Sequence, residues 1–445
     1  MSDQKNVSTD APLRIAARAC FDAAIAAVDP RRLVERVLHR DGDALVLDTP
    51  AGRAVHRGPI LLVGAGKAAL GMAKGTAMAA PAVAGTIIVP LGDAAAWLAS
   101  VAVLAGAHPV PDAAGEAATS RVLAEVEAAG PGTLVLALLS GGALALLVAP
   151  AGDLALSDKQ ALTARLLASG ADVRALNTVR KHCSRVKGGG LLRAARRAAG
   201  VWALLLSDVV GDDPAIIASG PTVADPTTFH DALDVLERWL APEAVPSRVR
   251  AHLEAGRLGS VPETVKPDDP LLARSVTHVL AGIRTAVAAA AAEARRLGFA
   301  THVLGDPLTG DAAPAARHVV ALLEAAPRDQ AVALVAGGET TVRVVPGGRG
   351  GRSQHLALAA ALAIEDQPWA LLAAGTDGID GSGDAAGACV DGGTVIRARA
   401  QGLDPAAALA ATDSGPLLAA TGDLICTGPT GTNVADLVVA LRPAC

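Results

Sequence analysis

The chain has 445 residues, 51% of them hydrophobic and 19% charged, enough to bury a large core and, at roughly 100–200 residues per domain, to form two or three domains. With three Phe, four Trp and no Tyr, the apolar fraction rests largely on alanine and signals helix-rich packing, and a formal net charge of −5 removes the basic footprint and stacking platforms of a nucleic-acid binder. Cys20, Cys183, Cys389, Cys426 and Cys445 are scattered without a C-x-x-C pair; together with a polar start lacking an apolar signal core, they fit reduced thiols in a cytoplasmic chain better than a disulfide or zinc framework.

In chain order, the spacing of Leu13, Ala16, Ala17, Phe21, Ala24, Ile25 and Val28 predicts an amphipathic helix over 13–28, followed by a helical stretch over 33–38. The apolar runs PILLVGAG, GTIIVP, SVAVLAG, GTLVLALLSGG and VWALLLSDV read as strands ending in Gly, Ser or Asp. Between them 66–78, 115–128, 162–168, 173–184 and 190–199 read as helices, giving a layered α/β domain. The uncharged stretch 134–151 is about long enough to span a bilayer, but Ser140-Gly141-Gly142 interrupts it and Pro150 closes it, so a buried strand, a turn and a short helix are expected, with no membrane association.

The proline-rich polar stretch 241–271 is taken as the boundary, with domains over 10–265 and 270–442. Strands are expected over 276–281, 300–304, 331–336, 340–345, 369–373 and 423–426, and helices over 284–297, 311–325 and 353–364.

Ligands of open parallel sheets bind beyond the carboxyl ends of the strands, which directs attention to the Gly, Ser and Asp residues there. Gly64-Ala-Gly66-Lys67 forms a strand–glycine–helix turn whose backbone N–H groups favour an anion, with Lys67 at its mouth. It fails both as a Walker A loop and as a dinucleotide fingerprint, because Leu61 and Ala68 stand where the first needs Gly and Ser or Thr, and Pro90 and Leu91 where the second wants an acid. Ser140-Gly141-Gly142 offers a hydroxyl and free amides, while His108-Pro-Val-Pro-Asp112 reads mainly as a rigid turn. A helix over 173–184 and beyond would align Asn177, Arg180, Ser184 and Lys187 on one face, suited to an anionic substrate.

Asp208, Asp212 and Asp213 leave an apolar strand onto a glycine turn, the oxygen-ligand chemistry of a magnesium site, although an Asx turn accounts for Asp212 or Asp213. The last quarter holds three glycine-punctuated stretches, 337–362, 375–388 and 428–437. Glu339 follows Gly337-Gly338 at a strand end, Gly351 precedes Arg352 at a helix start that Ser353 is placed to cap, Asp377, Asp380 and Asp384 share a loop, and Asn433 lies in the last. Clustered carboxylates beside an arginine whose planar fork matches phosphate describe a phosphoryl-transfer site, with Arg352 contacting the transferred group.

Taken together, VGAGKAALGMA, GAHPVPD, LLSGGALALL, LNTVRKHCSRVKGGGL, SDVVGDDPAIIASGPTVADPT, VAGGETTVRV, GGRGGRSQ, GTDGIDGSGDAAGA and GPTGTNVADL resemble the glycerate 2-kinase family, also labelled MOFRL and, in older usage, hydroxypyruvate reductase. The resemblance runs from the first helix to about Leu441 and implies ATP- and magnesium-dependent phosphorylation of D-glycerate to 2-phosphoglycerate. It implies a two-domain α/β scaffold, a Rossmann-like layered amino-terminal domain and a smaller MOFRL-type carboxy-terminal one, with the active site in an interdomain cleft.

Lys67 and Arg352 stand where the family's catalytic lysine and arginine would be, and Asp208 is assigned to orient the attacking hydroxyl. The nucleotide is assigned to Gly64, Gly66, Ser140, Gly141, Gly142, Lys187, Gly338, Gly351 and Asn433, glycerate to Asn177, Arg180 and Asp377, and the metal to Asp208, Asp212, Glu339 and Asp377. A homodimer is the assembly considered. Two departures stand out: Leu144 where the family usually has serine, and Ser353 and His355 where it usually has asparagine and glutamate. The rival expectations are a nicotinamide-dependent hydroxypyruvate reductase and a non-catalytic sensor of a phosphorylated metabolite.

Overall fold

In the computed structural model of the chain, residues 11–93, 98 and 100–444 are described; most of the polar start read for an export signal, and Cys445, lie outside them. The chain divides into two compact units, one of Pro30–Leu280 and one that joins the described residues up to Asp29 to those from Ala281 onward.

The first unit is built on a six-stranded sheet with the order Val101–Gly106, Ala84–Pro90, Ile60–Ala65, Leu134–Leu139, Gly200–Leu206, Ser275–Ala281. Its first five strands are parallel. Leu134–Leu139 and Gly200–Leu206 are buried at every residue, as expected where helices cover both faces and the strand reads as a continuous apolar run. The apolar run 134–151 is thus a central strand, a glycine turn and the short helix Ala143–Leu146. No helix among the described residues is long and apolar enough to cross a membrane.

Two features of this unit differ from the sequence expectation. Leu38–Asp41, Ala44–Thr49 and Gly52–His56 form a separate three-stranded antiparallel sheet, with Gly42 taking the positive φ of 61° that its tight turn requires. The stretch 241–271 is not an open linker: the helix Ser247–Arg257 buries Val249 and Leu253 in one cluster with Phe229, Leu233 and Leu236 of the helix Phe229–Trp239.

The second unit carries a seven-stranded mixed sheet, in the order Ala300–Val303, Val332–Thr341, Asp436–Arg442, Ala370–Gly375, Gly387–Asp391, Leu424–Ile425, with Leu308–Asp311 also pairing Val332–Thr341. Asp436–Arg442 is antiparallel to both its neighbours and buried throughout. The strands expected over 331–336 and 340–345 are one, Val332–Thr341, which passes through Gly337-Gly338 and ends before the exposed Val344 and Val345. The two glycines are there for packing: a Cβ on Gly337 would lie 2.2 Å from Ile283 Cγ1, and one on Gly338 2.1 Å from the Leu308 carbonyl oxygen.

The helix Ala11–Ala27 belongs to this second unit and packs on Ile283–Arg296, with Ala17, Cys20, Phe21 and Ala24 fully buried. Arg14 fixes it in place by donating to Asp391 Oδ2 at 2.9 Å and to Asp423. Arg397 meets the same two carboxylates at 2.9 and 2.8 Å. Both carboxylates are 1% exposed or less, so they need their cations. The Arg14→Ala variant is expected to lose on the order of 3 kcal/mol of stability, the scale for breaking a buried pair; a denaturant melt that moves by less than about 0.5 kcal/mol, the noise of a surface change, refutes this.

Candidate active site

In the first unit, three chain segments meet at the carboxyl edge of the parallel sheet. Gly66 adopts φ 127°, and a Cβ on it would lie 2.2 Å from Ser140 Oγ. Lys67 N–H donates to the Gly141 carbonyl at 2.9 Å, and Ala68 N–H to Ser140 Oγ at 3.0 Å. The position of a Cβ on Gly142 is 3.5 Å from Lys67 Cγ and 3.3 Å from His108 Cδ2. Lys67, His108 and the Ser140 turn therefore form one patch.

The expectation that the glycine turn leaves its amides open is corrected. The N–H groups of Gly66, Lys67, Ala68 and Ala69 are committed to Ile88 O, Gly141 O, Ser140 Oγ and Gly66 O. Those of Gly141 and Gly142 donate to nothing among the described residues, so any anion-facing amides of this patch are in the Ser140 turn.

The aligned face expected from a helix running past 184 is also corrected. The helix Val173–His182 ends earlier, because Ser184 Oγ turns back to Ala149 O and Gly188 and Gly189 take positive φ. Asn177 and Lys187 still converge, through the loop after Ile216: Ser219 Oγ donates to Asn177 Oδ1 at 2.8 Å, and Lys187 Nζ to Leu144 O at 2.9 Å and Ala218 O at 3.4 Å. Burial, with Lys159 and Arg180 nearby, holds the Lys187 ammonium well below the ordinary lysine range. Arg180 is half-buried, its guanidinium makes no hydrogen bond or ion pair among the described residues, and it is held below its ordinary value by desolvation. A guanidinium in that condition favours an anionic ligand.

Asp208 follows the strand Gly200–Leu206 and is half-buried. Asp213 Oδ1 closes an Asx turn on Ala215 N–H at 2.9 Å, whereas Asp212 sits at φ 55° with a buried Oδ1 that no donor among the described residues reaches.

In the second unit the centre is Arg352, first residue of the helix Arg352–Ala363. Its Nε and Nη2 donate to Asp436 at 2.6 and 3.0 Å, and its Nη1 to Glu339 Oε1 at 2.6 Å. Burial opposes the arginine's charge, but the two carboxylates more than offset it and keep the guanidinium above its ordinary value. The helix is not capped by Ser353: Asp380 accepts the N–H groups of Ser353 at 3.0 Å and Gln354 at 2.8 Å. Gly351 makes room for that carboxylate, since a Cβ there would lie 2.2 Å from Asp380 Oδ1. Asp377 Oδ1 accepts Ile379 N–H at 3.1 Å and stands 3.0 Å from where Gly375 would carry a Cβ, with Asp436 Oδ1 at 3.5 Å from the same point. Asn433 is buried, and its Oδ1 accepts Ala435 N–H at 3.4 Å.

Asp436 is the residue that no local motif singles out. It lies in the stretch GPTGTNVADL, where the sequence assigns it no role, as an acidic group opening the otherwise apolar run DLVVALR. Burial pushes its carboxyl up to about 6 against the pull of Arg352. Below that pH it takes a proton and ceases to be Arg352's ionic acceptor; above it the pair is complete. Turnover is expected to fall about tenfold per pH unit below pH ~6, and Asp436→Asn should abolish that break; a profile unchanged in the variant refutes the assignment.

Among the described residues no three His, Cys, Asp or Glu side chains come together in a way that could hold a metal ion. Asp208 and Asp212 lie in one unit, Glu339 and Asp377 in the other.

The family described as a domain of unknown function (DUF4147) matches residues 16–254, and the MOFRL family matches residues 332–436. The chain is 41% identical to an Agrobacterium vitis protein provisionally named hydroxypyruvate reductase, over 96% of this chain and 94% of that one. It is 37% identical to a glycerate 2-kinase of Pyrococcus horikoshii, over 94% of each. The crystal structure of a Thermotoga maritima glycerate kinase superposes with a TM-score of 0.81 at 35% identity, over 97% of this chain and all of that one.

Proposed function

The chain belongs to the glycerate 2-kinase family, of which the MOFRL match is the mark, and from that premise we propose that it transfers the γ-phosphoryl group of ATP to the 2-hydroxyl of D-glycerate. The observation that carries the reading furthest is the state of Arg352. Three of its N–H groups are taken by Asp436 and Glu339, which lock the fork in orientation while further N–H groups on Nη1 and Nη2 stay available to phosphate oxygens.

In this reading Lys67 and Arg352 neutralise charge on the transferring phosphoryl group, and Asp208 orients the attacking hydroxyl. Arg180, with Asn177, receives the glycerate carboxylate, and the open amides of Gly141 and Gly142 receive nucleotide phosphate. Lys187 acts from behind, tying Leu144 to Ala218 and so fixing the Ser140 turn.

Magnesium usually keeps several waters and takes one or two carboxylates with the phosphates, so it does not require a pre-assembled cluster. Asp212, with its unpartnered buried oxygen, fits such a role, as does the half-exposed Glu339; Asp208 and Asp377 are the other acidic candidates. When bound with the nucleotide, the ion supplies neutralisation of the phosphate charge.

The test is coupled ADP release with D-glycerate, followed by phosphorus NMR of the product. ADP formation with 2-phosphoglycerate is expected. A 3-phospho product would move the reaction to the other hydroxyl, and NADH oxidation with hydroxypyruvate in the absence of ADP release would replace the reading with the reductase.

A further inference from the structure

The Pro30–Leu280 unit holds a cavity of about 300 Å³ to which none of these roles assigns a ligand. Its charged lining is one-sided: Lys181, Lys187, Arg185, Arg193 and Arg196 face a single carboxylate, Glu127, in a chain whose net charge is −5. Most of these cations are committed. Lys181 pairs with Asp225 at 3.3 Å, Arg193 donates to the Glu263 carbonyl, and Lys187 Nζ is spent on Leu144 and Ala218. The two imidazoles of the wall are bonded as well, His252 to the His182 carbonyl and His182 to Thr178 O and Glu263.

Two guanidiniums remain at the exposed rim. Arg185 reaches Glu127 only at 3.4 Å, and Arg196 has no ion-pair partner among the described residues. Leu123, Ala194, Val261 and Pro262 line the rest with carbon.

The rim of the cavity lies away from the Lys67 patch, although Lys187 in its wall reaches toward that patch through Leu144. The helix Ala113–Ala128 links the parallel strands Val101–Gly106 and Leu134–Leu139, so it runs against them, and its last turn, which carries Glu127, lies at the amino-terminal edge of the sheet. Lys67 and Ser140 are at the carboxyl edge.

We propose that this cavity is a second binding site, for a small metabolite bearing at least two oxyanion groups, held by Arg185 and Arg196 with its carbon skeleton on the apolar wall. A volume near the lower end of ligand pockets suits a phosphate ester or a polycarboxylate, and arginine's fork recognises either.

The experiment titrates inorganic pyrophosphate and, separately, citrate into the full chain by calorimetry, with saturating ADP to occupy the nucleotide site and without magnesium. At least one anion is expected to bind, with affinity that falls as salt rises; pyrophosphate alone would point to phosphate esters and citrate alone to polycarboxylates. The double variant Arg185→Gln, Arg196→Gln is expected to weaken that binding at least about tenfold, the scale of losing a charge-assisted contact, while Lys67→Ala leaves it intact. Turnover of the double variant without added anion should match the parent. Absence of binding by either anion, equal affinity in the double variant, or loss of binding in Lys67→Ala overturns the proposal.

Discussion

Replacing Arg352 by alanine is expected to lower kcat by roughly 10³–10⁵-fold, the range associated with an arginine that stabilises a transferring phosphoryl group. The same substitution strips Asp436 of its cation. A buried carboxyl already pushed up to about 6 then loses the pull that held it down while Asp380 and Glu339 still raise it, at a cost in stability. Loss of turnover therefore has two readings, a missing phosphate contact or a loosened site. The companion Arg352→Ala, Asp436→Asn separates them: stability should return toward the parent while turnover stays low. Turnover restored along with stability would demote Arg352 to a structural residue. Arg352→Lys should also fail to rescue, because an ammonium cannot hold Asp436 and Glu339 through a planar fork.

Lys67→Ala is expected to cost about a thousandfold in kcat, at the upper end of the loss from removing one electrostatic stabiliser, in a chain that still folds. The turn that presents Lys67 is held by backbone bonds to Ile88 and Gly141 and by Ser140 Oγ, none of which involves the lysine side chain. Removing the ammonium should thus leave the turn in place and act on the chemistry. If KM for ATP rises while kcat holds, the lysine binds ground state and transition state alike. Steady-state kinetics with both substrates varied, beside circular dichroism, decides between these outcomes.

The layered architecture of the first unit is legible because strands buried on both faces write themselves as unbroken apolar runs ending in glycine, as LVLALLSGG does. The small sheet over 38–56 is not: LHRD and GRAVH are short, half-polar segments whose pairing is set by the turns between them. Lys67 and Arg352 stand out in sequence because each sits beside glycines that punctuate a strand or helix end. Asp436 does not, because its role is a pairing 84 residues away along the chain, which no local spacing encodes. The engaged amides of Gly66 to Ala69 mark a similar limit: a glycine turn signals close backbone approach, and here what approaches is Ser140 of a neighbouring strand's end.

The split second unit has a consequence for synthesis. The helix Ala11–Ala27 is synthesised well before its anchors, since Asp391 and Asp423 follow Arg14 by 377 and 409 residues. At about 5–20 residues per second the interval is roughly 20–80 s, and over its first part, until Ile283–Arg296 is made, Ala17, Cys20, Phe21 and Ala24 lack the helix they pack on. The first helix of the split unit thus waits unpacked, while the Pro30–Leu280 unit, contiguous in sequence, is free to fold behind it.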